Sequence, residues 1–299
     1  MIAYNVENYI GEAIEGVLKQ ITDFEIELII SNDNSLDKTE EVAQNYIQKH
    51  VNGHRIKYKR QEKNLGSTLN YLWVLEHCQG DYIAVCDGDD FWTDPLKLQK
   101  QIDFLENHLE FIGSFHNRYK CDQKGDILSN SIQEKEKRNW DFDGLVATMP
   151  EIPSASVVFR KPPNFSLPKE FKSVVVNGDT FLWVYLLQFG DFYYEPTSSP
   201  CYYRQHSNGL WSSKSSFIKT KLSHKTYLLL QQSFPEKESV KNQLFEIRNN
   251  LFYYAFKEKE IVFFIKYYVL NLFFCIIKPR YFSSFLRIHR PLLNKFSRK

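Results

Sequence analysis

The chain has 299 residues, 43% hydrophobic and 25% charged, the balance of a globular protein and not of a disordered tail or a fibre. Lys and Arg number 38 against 36 Asp and Glu, and a formal charge of +2 leaves no global electrostatic footprint for a nucleic-acid partner. Five cysteines, odd in number and without a CxxC pair, argue against a disulfide scaffold or a zinc site and make a reducing cytosol the expected compartment. Polar Tyr4-Asn5 follows Met1-Ile2-Ala3 at once, so no export signal is expected at this start.

Val6, Ile10, Ala13, Ile14, Val17, Leu18 and Ile21 recur near the helical period and predict an amphipathic helix over 6–21. Glu25 to Ile30 ends as an apolar run of strand length and leads into the turn-forming cluster Ser31-Asn32-Asp33-Asn34-Ser35. Asp37-Lys38-Thr39 opens a second helix, and Arg55 to Tyr58 alternates as a short strand. After the Asn64-Leu65-Gly66-Ser67 turn comes a helix at 67–78. A buried strand at 81–86 follows, stopping at Asp87-Gly88-Asp89-Asp90. Strands that alternate with helices predict an α/β fold with a mainly parallel sheet, whose ligands bind beyond the carboxyl ends of the strands. Beyond Pro95 a helix runs to about Asn107, strands and loops fill 111–160, and the polar stretch 123–143 resists assignment. Phe181 to Leu187 reads as a buried helix entered at Asp179-Thr180, and helical patterns cover 215–257.

Three carboxylates within four residues repel one another, so a fold that gathers Asp87, Asp89 and Asp90 at a strand end is expected to offer them a hard cation, Mg²⁺ or Mn²⁺. The alternative is a solvated polar turn.

Ala3-Tyr4-Asn5, Glu12-Ala13-Ile14, Val17-Leu18-Lys19-Gln20, the run from Ile29 to Thr39, Asn64-Leu65-Gly66 and Asp87 to Leu105 together resemble family 2 glycosyltransferases of the GT-A fold, in particular the bacterial subgroup that decorates surface polysaccharides. The resemblance covers residues 1 to about 110 in order and spacing and is looser to about 210. It implies a Rossmann-like, mainly parallel sheet flanked by helices. In relatives several strand-forming residues precede the first turn, so a chain beginning at Met1 is expected to lack part of the first strand. By resemblance, Ala3, Tyr4, Asn5 and Glu7 lie at the nucleotide base, and Asp33 accepts the uracil N–H. Asn32 replaces one acid of that turn. Asp87 and Gly88 lie near the ribose or diphosphate, Asp89 binds the metal, and Asp90 shapes the loop. His206 completes the metal site in some relatives, and Arg204 could reach a phosphate. Asp179, in Asn177-Gly178-Asp179-Thr180, matches the base that takes the acceptor proton, with a helix N-cap as its other reading; Asp191 is the back-up. Trp211 could stack on an acceptor sugar.

These roles imply an inverting enzyme that moves a sugar from a nucleotide-sugar donor, a UDP-sugar, to a glycan or lipid-linked acceptor. Two other readings compete: a nucleotidyltransferase, for which no basic phosphate loop is evident, and a non-catalytic assembly protein on a degenerate scaffold. Composition divides the chain into a transferase domain at 1–212 and a helical C-terminal extension at 213–299. In that extension Ile261 to Ile277 is apolar apart from Lys266 and Asn271, and basic residues through Lys299 meet no Asp or Glu. Seventeen positions are short for a span, so an interfacial element on the anionic inner face of the plasma membrane is expected, and with it a cytoplasmic, peripheral protein. A buried terminal helix or an oligomer contact is the other reading.

Overall fold

The computed structural model describes residues 1–287 except 130, 131, 175, 176, 207, 208, 210, 212, 213 and 284. The basic residues expected at 290–299 therefore lie outside the described residues, as do Val175 and Val176 before the predicted buried helix. The chain divides into two compact units, Met1–Ser212 and Ser213–Lys299.

The first unit opens with a parallel repeat. Strand β1 (Ile2–Ala3), helix α1 (Ile10–Leu18), β2 (Leu28–Asn32), α2 (Thr39–Lys49) and β3 (Ile56–Arg60) form a sheet of order β1-β2-β3 in which both pairings are parallel. Every residue of β2 is buried, as a strand covered on both faces requires, which explains its unbroken apolar run. On α1 the stripe Ile10, Ala13, Ile14, Val17 and Leu18 is buried and shares one core with Leu28, Ile30, Ile56 and Trp92. The helix starts at Ile10, not at the predicted residue 6. Backbone N–H groups of Asn5, Val6 and Glu7 are instead held by Ser35 Oγ, Thr39 Oγ1 and Asp37 Oδ2 at 2.9, 2.9 and 3.0 Å, which fixes this turn against the loop after β2.

Beyond α3 (Ser67–His77) the sheet becomes mixed. Strands β4 (Tyr82–Ala84), β5 (Phe111–Phe115), β8 (Val158–Arg160) and β9 (Asp191–Tyr194) pair in the order β4-β8-β5-β9, antiparallel at β8 and parallel between β5 and β9. A smaller sheet of order β10-β6-β7 is built from β6 (Arg118–Cys121), β7 (Ile127–Ser129) and β10 (Cys201–Arg204), with β6 and β10 parallel. Helices α4 (Lys97–Asn107), α5 (Phe142–Thr148) and α6 (Gly178–Leu186) complete the unit. The stretch 123–143, unassigned from sequence, contributes β7 and a short 3₁₀ turn at Glu134–Glu136.

Gly16 marks where α1 presses on the segment after the acidic turn. A Cβ there would stand 2.7 Å from the Trp92 carbonyl oxygen, a backbone atom that no rotamer change can move. Gly16→Ala is expected to cost about 2 kcal/mol by overpacking and to lower the thermal midpoint by about 5 °C. A melting curve matching wild type would mean that the contact relaxes.

The second unit is helical: α7 (Ser216–Ser233), α8 (Glu238–Lys257) and α9 (Ile261–Ile277). Phe252 of α8 stacks on Phe264 of α9 with centroids 4.4 Å apart, and Asn271 Nδ2 donates to Asn249 Oδ1 at 3.0 Å between fully buried side chains. Among the described residues, no helix is long and apolar enough to cross a membrane.

Candidate active site

Two polar turns leave the carboxyl ends of β2 and β4, and β1 joins them. Asp33 N donates to Ala3 O at 2.8 Å, and Gly88 N donates to Ile2 O at 2.9 Å. At Gly88 a side chain has no room: a Cβ would lie 3.0 Å from Ile2 O and 3.3 Å from Ala3 Cβ and Val6 Cγ2.

In the first turn Asn5 and Asn34 take left-handed backbone, at φ 54° and 59°, a conformation asparagine tolerates. Asn5 Oδ1 accepts from Leu36 N at 2.9 Å. Asn32 accepts from Ser35 N at 2.9 Å and donates to the Tyr58 hydroxyl at 2.8 Å. Asparagine at 32 therefore keeps both contacts of the turn, accepting through Oδ1 and donating through Nδ2. Buried Asp33 accepts from Leu65 N at 2.7 Å and Gly66 N at 2.9 Å, one bond to each oxygen, leaving lone pairs for a ligand donor. Glu7 Oε2 accepts from Lys38 N at 2.8 Å, so its carboxylate fastens the entrance of α2. The Tyr4 ring is 47% exposed, with a face available for stacking.

In the second turn burial, with the Asp89 carboxylate next, pushes the Asp87 carboxyl up to about 7. Asp90 is buried as well and is raised by burial, then by Asp89 and Asp87, while its Oδ1 accepts from Arg204 N at 2.9 Å. Arg204 corrects a sequence expectation. Its guanidinium is buried and committed: Nε donates to Asp89 O at 3.1 Å, Nη1 to Gln123 O at 2.8 Å, and Nη2 pairs with Glu12. It lies over the Tyr9 and Phe91 rings at 4.9 and 5.1 Å. Arg204 clamps the acidic turn and is not poised for a phosphate.

Asp89 Oδ2 and His206 Nε2 lie 3.0 Å apart. That equals the separation of two adjacent ligands on an octahedral cation with bonds of about 2.1 Å, so this oxygen and nitrogen pair fits a divalent ion. Among the described residues no group of three or more His, Cys, Asp or Glu comes together as a ligand set, so the remaining positions would fall to a diphosphate and water.

Asp179 lies in the first turn of α6, two residues past the N-cap position, which Asn177 occupies at φ 68°. The N-cap reading of Asp179 is therefore corrected. Its oxygens accept from Thr180 N at 2.7 Å and the Ser154 hydroxyl at 3.0 Å, and burial still pushes the carboxyl above its ordinary range against those bonds. Its charge also helps to raise Asp87, which sets the two carboxylates in one electrostatic environment. Asp191 begins β9 at an exposed position, with Asp141 as its charged neighbour. Trp211 is half-buried in a turn.

Two side chains escaped the sequence reading. The Tyr71 hydroxyl on α3 is buried without a hydrogen-bond partner among the described residues and is held protonated by burial, then by the charges of Asp87 and Asp179. Lys97, fully buried over the Trp92 ring at 4.1 Å, donates to Gln101 at 2.8 Å, and burial pushes its ammonium down to about 8. Neither belongs to a recognisable motif; the one signal for Lys97 is its spacing from Gln101 on a helix face.

Residues 1–160 match the family model described as glycosyl transferase family 2. The chain belongs to that family. Among curated relatives of this glycosyl transferase family 2 member, an uncharacterised protein of Mycobacterium tuberculosis is 34% identical over 212 residues, 71% of this chain. The match spans 59% of that relative's length. Among solved structures, S. aureus TarS in complex with UDP-GlcNAc superposes with a TM-score of 0.60 at 17% identity, over 84% of this chain and 71% of that one. Mannosyltransferase PcManGT from Pyrobaculum calidifontis, in complex with GDP-Man and Mn²⁺, gives 0.57 at 11% identity over 98% and 84%. These likenesses show the GT-A fold.

Proposed function

We propose that the chain is an inverting, metal-dependent glycosyltransferase that moves a sugar from a UDP-sugar to a hydroxyl of a lipid-linked or surface-polysaccharide acceptor at the cytoplasmic face of a membrane. The observation that carries this reading is the gathering of the Asp33 turn and the acidic turn on one two-residue strand, with half-buried Asp179 among the charges that raise Asp87. TarS was solved with UDP-GlcNAc and PcManGT with GDP-Man, and both share the fold, which supports a nucleotide-sugar donor; the uridine choice rests on the resemblance at Asp33. In this reading Asp33 takes the uracil N–H, and Tyr4 with Asn5 flanks the base. Asp87 and the Gly88 backbone lie along the ribose and diphosphate.

Asp89 and His206 would hold a divalent cation, which when bound neutralises charge on the departing diphosphate. Asp179 accepts the proton of the acceptor hydroxyl as that oxygen bonds to the anomeric carbon. The bond from this carbon to the β-phosphate oxygen breaks in the same displacement, and the configuration inverts. Burial suits Asp179 to the task, since a carboxylate with a raised pKa is a stronger base once ionised. Titration calorimetry with UDP tests the reading: binding tightened about tenfold or more by Mn²⁺ is expected. A chain that binds neither UDP nor UDP-GlcNAc, with or without Mn²⁺, would favour the non-catalytic scaffold.

A further inference from the structure

The helix α9 divides lengthwise. Phe264, Tyr267, Asn271 and Cys275 are buried on one side, where Phe264 stacks on Phe252 and Asn271 bonds Asn249. The other side carries Ile261, Val262, Ile265, Val269, Phe273 and Ile276, each between 56% and 76% exposed. At 100° per residue these positions fill one arc of the helix, so they form a continuous apolar strip and not scattered surface residues. Lys266 stands exposed at its margin.

From residue 261 to the last residue the sequence holds eight Lys and Arg and neither Asp nor Glu; two of them, Lys278 and Arg280, pair with Glu238 of α8, which corrects the expectation that these basic residues meet no acid and leaves the segment strongly cationic. Charge therefore selects among occupants of the strip. A second copy would set like charges against one another, whereas an anionic lipid surface meets both the apolar strip and the basic segment. No described helix is able to span, so the helix would lie along the interface with its strip in the acyl boundary.

We propose that this face of α9 is a docking surface for anionic lipid, with exposed Lys266 at its margin and exposed Arg287 beyond it meeting the headgroups. The assignment rests on the second unit alone and not on the transferase chemistry. Binding of the full chain to phosphatidylglycerol-containing vesicles is expected to be about tenfold or more tighter than to pure phosphatidylcholine and to fall with salt. Phe273→Glu with Ile276→Glu is expected to lower vesicle binding at least tenfold while leaving helical circular dichroism and UDP titration unchanged. Lys266→Gln with Arg287→Gln, which leaves the strip intact, is expected to remove the preference for the anionic vesicle, at about fivefold per charge. Equal affinity for both vesicles in wild type would overturn the charge argument. A concentration-dependent dimer, abolished by the double Glu variant and indifferent to lipid, would make a second copy the occupant. A monomer that binds neither vesicle would overturn the proposal outright. UDP titration of the same samples keeps these outcomes separate from a failure of the catalytic reading.

Discussion

Replacing Asp179 by Asn is expected to lower turnover of a UDP-sugar by about 10³-fold while leaving UDP affinity within about twofold, because a base on the acceptor side contributes to proton removal and not to nucleotide binding. The pH profile provides the second readout. Burial raises the Asp179 carboxyl above the ordinary 3.8, so the group is protonated and unable to accept below that raised value and becomes a base as pH rises through it. The wild-type rate should therefore climb along an acid limb above the usual carboxylate range, and Asp179→Asn should lose that limb. Stability moves the opposite way. A folded pKa above the unfolded one means that the native state binds the extra proton, so this carboxyl's contribution declines as pH rises across the same window. Asn, neutral and of the same shape, should keep or raise the thermal midpoint at neutral pH. A large rate loss with the acid limb intact would transfer proton removal to another carboxyl, with Asp87, pushed up to about 7, next in place.

Asp89→Ala is expected to abolish the Mn²⁺ enhancement of UDP binding, a loss of about tenfold or more measured by calorimetry at fixed metal. Its carboxylate is 31% exposed while Asp90 is only 4% exposed, which makes Asp89 the better placed of these two acids to meet a solvated ion. His206→Gln should weaken the same enhancement by a smaller factor, since one of two protein ligands remains. Undiminished metal dependence in Asp89→Ala would move the ion to a different part of the turn.

The parallel repeat was legible because β2 is buried on both faces and so reads as an uninterrupted apolar run, and because α1 buries a stripe at regular helical spacing. What the sequence misplaced depends on distant partners. Residues 6–9 keep the hydrophobic period of α1 but stay outside it, since oxygen atoms of Ser35, Asp37 and Thr39 hold the N–H groups before it. Arg204 looks from its neighbours like a phosphate ligand, and only the arrival of Glu12 and the Asp89 carbonyl shows it to be a clamp. Tyr71 sits on α3 with no flanking pattern to distinguish it from a core residue. On α9 the apolar character was plain, but a helix that is apolar all round does not reveal which side its neighbours cover.

The clamp at Arg204 also has a consequence for how the protein comes together. Its bonds to Asp89 and to Glu12 close sequence separations of 115 and 192 residues. Strands β1 to β3 pair over far shorter distances, so the parallel repeat can assemble while the acidic turn still carries unbalanced charge. During synthesis that repulsion is expected to persist until β10 pairs with β6, since the guanidinium arrives on β10. The clamp on the acidic turn is thus expected to form late, on one of the last elements of its unit, and a chain stopped before residue 204 would present that turn without it.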